Sequence, residues 1–347
     1  MVHGAAIQSS GRLTGTFSTV VVTFMFGLCL LTMPYTFGRA SSTGGGVGGT
    51  GEARAGGARR RATPRYEATN LAHALLPPFW APHAEDERQR VEAAEALTGR
   101  APRYLFGTDK LGRSMFIRCL AGGGISLCIG LAAACIAVGI GTLYGTIAAT
   151  KGGRTDALLM RIADVLYGLP YILLVVLLAV AVDGLLDRLG GDVSPALRQV
   201  INVVTLLVAI GSVSWLTMAR VIRGQVLSLK QQPFMEACRT IGVPPRRQFT
   251  HHLLPNLLGP IIVYATLTVP AAILSESFLS FLGIGVREPL PSWGNLAAAG
   301  LNELNIVRAR WWLLLWPCLF ITITLMALNF MGEALREKYD PKRGTGT

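Results

Sequence analysis

The residues able to do chemistry are few, and most of them sit together. Glu236-Ala237-Cys238-Arg239-Thr240-Ile241-Gly242 opens a polar island between two long apolar runs, and it continues through Arg246, Arg247, His251 and His252 to Leu254-Pro255. Charges of both signs on a short exposed stretch suit gripping another protein. A hydrolytic reading is also open, with Ser212 or Ser214 as nucleophile and His251 or His252 as base, although the serines lie inside the preceding apolar run. Glu276 is the clear carboxylate deep in an apolar run, which allows two readings. It lines a polar path through a membrane, or it sits near the end of its run and hydrogen-bonds loop residues around Trp293. There is no G-x-x-x-x-G-K-[ST] phosphate loop and no H-E-x-x-H pair, so neither ATP hydrolysis nor zinc peptidase chemistry is expected of this chain.

The island must be held by local structure, and its punctuation says how. Pro233 and Phe234 lead into a helix on which Ala237 and Ile241, four apart, share an apolar face. Gly242 suits the left-handed position that ends a helix, and Pro244-Pro245 forbid continuation while pre-setting a second helix over Arg246 to Leu254. The expected unit is a helix, a glycine turn and a helix.

Composition places that unit at a membrane. Of 347 residues, 51% are hydrophobic and only 15% charged, against roughly 25% charged in soluble domains. The formal net charge of +12 is scattered among apolar runs without a basic-aromatic reader motif, so no nucleic-acid partner is expected. The six cysteines include no CxxC pair, which predicts small packing residues and no metal site.

Taken in order, residues 1–16 form a short N-terminus and 17–37 a run about one bilayer long. We read that run as a first transmembrane helix, the alternative being a signal peptide cleaved near Gly38-Arg39-Ala40. Within 38–105, the Gly-, Ser- and Arg-rich stretch 41–63 has the composition of disorder, and Glu85 to Leu97 reads as a charged surface helix. Five further runs follow: Cys119–Thr150, Asp156–Val182, Val200–Ala219, Leu257–Phe281 and Trp311–Phe330. Gly141-xxx-Gly145 allows close helix approach, and Arg161 and Asp164 are spaced to pair on one helix face. With six spans, Lys151, Arg154, the polar island and the tail (Arg336, Lys338, Lys342, Arg343; 333–347) fall on one side. The positive-inside rule makes that side cytoplasmic and puts 38–105 outside, a segment long enough to escape the rule.

Three motifs in order resemble one family. Glu236, Ala237, Gly242, Leu254 and Pro255 fall in register with the Glu-Ala-Ala loop of ABC-importer permeases, with Cys238 for the second Ala and His252 where the pattern has Ile. Phe106-Gly107-Thr108-Asp109-Lys110-Leu111-Gly112-Arg113 is similar to the signature preceding the second transmembrane helix of dipeptide, oligopeptide and nickel permeases, with Ser114 for its usual Asp. Asp109 and Arg113 could pair there to fix the segment. Ser280-Phe281-Leu282-Gly283-Ile284-Gly285 and Pro291-Ser292-Trp293-Gly294 resemble a third segment of the same, C-type, permeases.

The resemblance covers about residues 105–343. It implies an all-α polytopic bundle of about six transmembrane helices with the type I importer permease fold, its core over 106–332, in the bacterial inner membrane. It implies a non-catalytic subunit of a binding-protein-dependent importer of peptides, nickel or a related solute. Its partners would be a homologous permease, two ABC ATPase subunits that hold ATP and Mg, an extracytoplasmic solute-binding protein and membrane lipid. Glu236, Ala237, Cys238, Ile241, Gly242, Leu254 and Pro255 would then couple to the ATPases. An ion-coupled secondary transporter is the alternative; it would want inverted half-repeats, which the sequence does not display.

Overall fold

The computed structural model describes residues 2–39, 63–188, 194–304 and 308–339, whose regular structure is helical, with isolated bridges but no strand. The helices are α1 (Val2–Thr36), α2 (Glu85–Thr98), α3 (Met115–Lys151), α4 (Gly153–Tyr167), α5 (Tyr171–Arg188), α6 (Pro195–Lys230), α7 (Pro233–Thr240), α8 (Pro245–Arg247), α9 (Leu254–Phe281), α10 (Trp293–Leu301) and α11 (Trp312–Tyr339). The glycine-rich stretch to residue 62 and the tail residues Lys342 and Arg343 lie outside the described residues.

Among the described residues, five helical segments are long and apolar enough to cross a membrane: Gly15–Thr36, Met115–Lys151, Leu197–Lys230, Pro245–Phe281 and Trp312–Lys338. The run read as a single span over 156–182 is instead two helices, bent by 83° between Tyr167 and Ile172, and counts as a sixth span only if the pair crosses together. The cause is local. Pro170 lacks the N–H of a helical bond and disfavours helical geometry at Leu169, directly after Gly168.

The chain forms two compact units, Met1–Phe24 with Leu127–Leu279 and Ile323–Thr347, and Met25–Ser126 with Ser280–Thr322. In the first, α3 and α6 meet through glycine as the spacing predicted. A methyl on Gly141 would fall 2.6 Å from the Met218 side chain, and one on Gly145 only 2.3 Å from the Ala219 carbonyl. Ala149, Met218, Ile222, Val226, Met235, Leu253 and Leu257 pack into one apolar cluster. Arg223 grips Asp156 with two bonds of 2.5 Å. Asp164, expected to pair with Arg161, accepts from Arg220 at 3.0 Å. The two arginines, three apart on α6, each meet one carboxylate of α4, and this cross-helix geometry wins over the i,i+3 pair.

In the second unit Met115, Cys119, Leu296, Trp312 and Leu313 form the core, with Phe106 packed against it. Phe106 stacks on Trp316 with ring centroids 3.9 Å apart. Arg39 and Pro64 form an antiparallel bridge, and the Arg65 N–H donates to Gly38 at 3.0 Å. The chain therefore leaves toward 40–62 and returns at adjacent points. The charged helix read from Glu85 is α2, which Gly99 ends in the left-handed conformation (φ 70°).

Candidate functional site

The polar island folds as its punctuation dictates. Pro233 occupies the first turn of α7, where a missing N–H costs nothing. Met235 and Cys238, three apart, are buried, and Met235 joins the cluster with Ile222, Val226, Leu253 and Leu257. The opposite face is open: Glu236 and Ala237 are exposed, and so are Phe234 and Ile241, the latter at 80%. The expected apolar pair is therefore present and faces away from the chain's own core.

Gly242 stands at φ 78° with open space where a side chain would be, so backbone conformation alone selects glycine there. The turn satisfies the last carbonyls of α7: Gly242 N–H donates to Arg239 and Val243 N–H to Cys238, at 3.1 and 3.0 Å. The Gln248 amide then reaches back across Pro244-Pro245 to the Val243 carbonyl at 2.6 Å. The second helix is not an isolated piece. After α8 it widens into a π-helical turn, Gln248–Leu253, and runs on into α9. Pro255 explains the widening, because it removes one helical N–H and its ring crowds the preceding turn. Leu254 is half-buried and Pro255 exposed at that junction, while Arg239, Arg246, Arg247 and His251 form an exposed basic rim.

The hydrolytic reading finds no support in this geometry. Ser212 and Ser214 donate to carbonyls of their own helix, Ala209 and Ile210, each at 2.9 Å. His251 Nδ1 instead meets the Thr250 hydroxyl at 2.8 Å. Glu276 is fully buried and accepts from the Ser277 hydroxyl at 3.3 Å. Trp293, offered above as the centre of its hydrogen-bonding surroundings, donates its backbone N–H to Ser126 and its ring N–H to Cys119.

A second constellation gathers at the Gly107–Arg113 signature. Gly107 (φ 78°) and Gly112 (φ 68°) are needed both for conformation and for space. A methyl on Gly112 would lie 1.8 Å from the Asn70 carbonyl, and one on Gly107 would lie 2.7 Å from the Leu76 carbonyl. Thr108 donates to His73 and accepts from the Leu76 N–H, at 2.6 and 2.8 Å. Asp109 accepts at Oδ1 from the N–H groups of Leu111 and Arg113, both at 2.9 Å, and at Oδ2 from Arg113 Nε at 2.6 Å, the expected pair.

Two members escaped the sequence reading. Arg118 Nη1 donates to Asp109 at 2.5 Å, and Glu288 accepts from both Arg113 and Arg118 at 3.1 Å. The result is a charge-neutral clasp of two carboxylates and two guanidiniums. Partial burial alone would raise the Glu288 carboxyl. The attraction and hydrogen bonds of Arg118 and Arg113 outweigh it and hold the group below its ordinary value. Arg118 could have been suspected as a charge opening an apolar run; no local signal marks Glu288, 170 residues away.

The chain is similar to known transport proteins. Residues 141–345 match the family described as "Binding-protein-dependent transport system inner membrane component". The chain is 43% identical over 269 residues to the dipeptide transport system permease protein of Bacillus subtilis, spanning 78% of this chain and 77% of that one. It is 43% identical over 239 residues to an oligopeptide transport system permease protein of Haemophilus influenzae, covering 69% and 70%. For the Escherichia coli K12 oligopeptide permease protein the identity is 41% over 268 residues, covering 77% and 82%.

Proposed function

The chain belongs to the family of binding-protein-dependent transport system inner membrane components, and from that premise we propose that it is the permease subunit of an ATP-driven importer of dipeptides or oligopeptides. The names of its relatives favour peptides over nickel as cargo. The complex would hold a second, homologous permease, two ATPase subunits carrying ATP and Mg, and an extracytoplasmic binding protein that delivers the solute. The chain itself performs no chemistry.

The observation that carries this reading is the two-sided character of α7. One face is locked to the core through Met235 and Cys238, while Phe234, Ala237 and Ile241 point outward. A helix so anchored moves with α6 and α9 when its free face is pushed. ATP-driven closure of the ATPases would act on Ala237, Ile241 and Glu236, with Gly242 fixing the angle of that face. Leu254 and Pro255 join the element to α9, where Glu276 lies on the same helix. The Asp109–Arg113–Arg118–Glu288 clasp, placed on the external side by the positive-inside argument, would tie the segment before α3 to the loop before α10.

The experiment is reconstitution of the complete transporter in liposomes with the binding protein and a mixture of small peptides. Peptide accumulation that requires ATP supports the reading. Accumulation driven by an ion gradient without nucleotide contradicts it, and favours a secondary transporter.

A further inference from the structure

The segment Pro77-Pro78-Phe79-Trp80-Ala81-Pro82 is a proline-stiffened loop whose two aromatic side chains are half exposed, Phe79 at 50% and Trp80 at 52%. It is fixed in place. The Phe79 N–H donates to the Tyr104 carbonyl at 3.0 Å, and the Trp80 ring N–H donates to the Leu105 carbonyl, also at 3.0 Å. The Trp80 ring packs on Trp311 and Trp316, with centroids 5.8 and 6.4 Å away.

Those contacts set the depth of the loop. Trp311 immediately precedes α11 and Trp316 lies in its first turns, so Trp80 sits level with the end of a membrane-length helix. Trp311 also heads a row at helical spacing, Trp311, Leu315, Leu319, of which Leu315 and Leu319 are exposed at 44% and 41%. An open surface thus runs from Phe79 and Trp80 onto aliphatic side chains further along the span. Amphipathic aromatics at the end of a span, with aliphatics below, match the change from headgroup to hydrocarbon. A tryptophan whose N–H is already bonded to a carbonyl can lay its ring in that zone without leaving a donor bare.

We propose that the Phe79–Trp80 loop is a lipid anchor, inserted at the bilayer interface beside α11, that holds the segment before α3 down on the membrane. The occupant is the lipid surface, because the patch continues a helix surface of span length and is flanked by no charge of its own between Leu76 and Pro82.

The test uses the full transporter in native membranes, with p-benzoylphenylalanine introduced in place of Phe79 and, separately, in place of Leu319. Illumination followed by mass spectrometry reads the adduct. Phospholipid adducts at both positions are expected. At position 79, an adduct to the second permease or to the binding protein, or no adduct at all, overturns the anchor. A protein adduct at position 319 shows instead that the α11 row is covered by a neighbouring helix, and this also overturns the lipid assignment.

Discussion

Asp109→Asn is the sharpest perturbation of the clasp. Asp109 receives four hydrogen bonds, two of them from guanidinium groups at 2.6 and 2.5 Å. Its partners Arg113 and Arg118 are 5% and 2% exposed. An asparagine keeps one acceptor but turns an NH2 toward two buried cations, which then share Glu288 alone. Two charge-assisted bonds at roughly 1.5–3 kcal/mol each, or about 3–5 kcal/mol for a broken buried ion pair, give the same scale of loss. Arg118→Met should cost less, because it leaves Asp109 and Glu288 paired with Arg113. It also removes a buried Nε that has no hydrogen-bond partner. The double variant should fall short of the sum of the singles by at least about 1 kcal/mol. Equilibrium unfolding in mixed SDS–detergent micelles measures the cycle. Additive losses, or an Asp109→Asn cost below about 1 kcal/mol, would refute the argument that the clasp holds this segment.

Four further outcomes follow from the same geometry. Because the folded state holds the Glu288 carboxyl below its ordinary value of 4.5, its contribution is present above that pH and is lost as pH falls below it; Glu288→Gln should flatten the acid limb of a stability–pH profile. Gly145→Val should disrupt the α3–α6 contact at the Ala219 carbonyl at a cost of about 1–3 kcal/mol, seen as reduced membrane levels and a lower melting temperature. Replacing residues 41–62 by two glycines should leave uptake unchanged, since Arg39 and Pro64 already meet in a bridge; loss of uptake at normal membrane levels would contradict this. Gly242→Ala should cost about 1–2 kcal/mol for the left-handed turn yet lower peptide uptake by more than its loss of folded protein.

Punctuation made much of the fold legible. Pro233, Gly242 and Pro244-Pro245 mark α7 and its exit because each fixes a backbone angle by covalent structure, and Gly141-xxx-Gly145 marks the α3–α6 contact by absence of side chains. Gly107 and Gly112 were visible for the same reason. Features built from distant partners were not. Glu288 reaches the clasp from the far side of the chain, and Asp164 finds Arg220 on another helix in place of its neighbour Arg161. The break between α4 and α5 was masked by an unbroken apolar run, although Gly168 and Pro170 within it carry the signal. The π turn before Pro255 likewise went unread, because the sequence reading took Pro255 as a motif position and as the end of the island.

On the function proposed here, force enters the permease through the free face of α7, and Ile241 isolates that face. Its side chain is 80% exposed, so Ile241→Asp removes almost no packing within the chain and should leave insertion and melting temperature as they are. In the reconstituted transporter, ATP-driven peptide uptake and co-purification of the ATPase subunits should both drop at least about tenfold, the effect of losing roughly 1.4 kcal/mol at a contact. Unchanged uptake with full ATPase co-purification would contradict it.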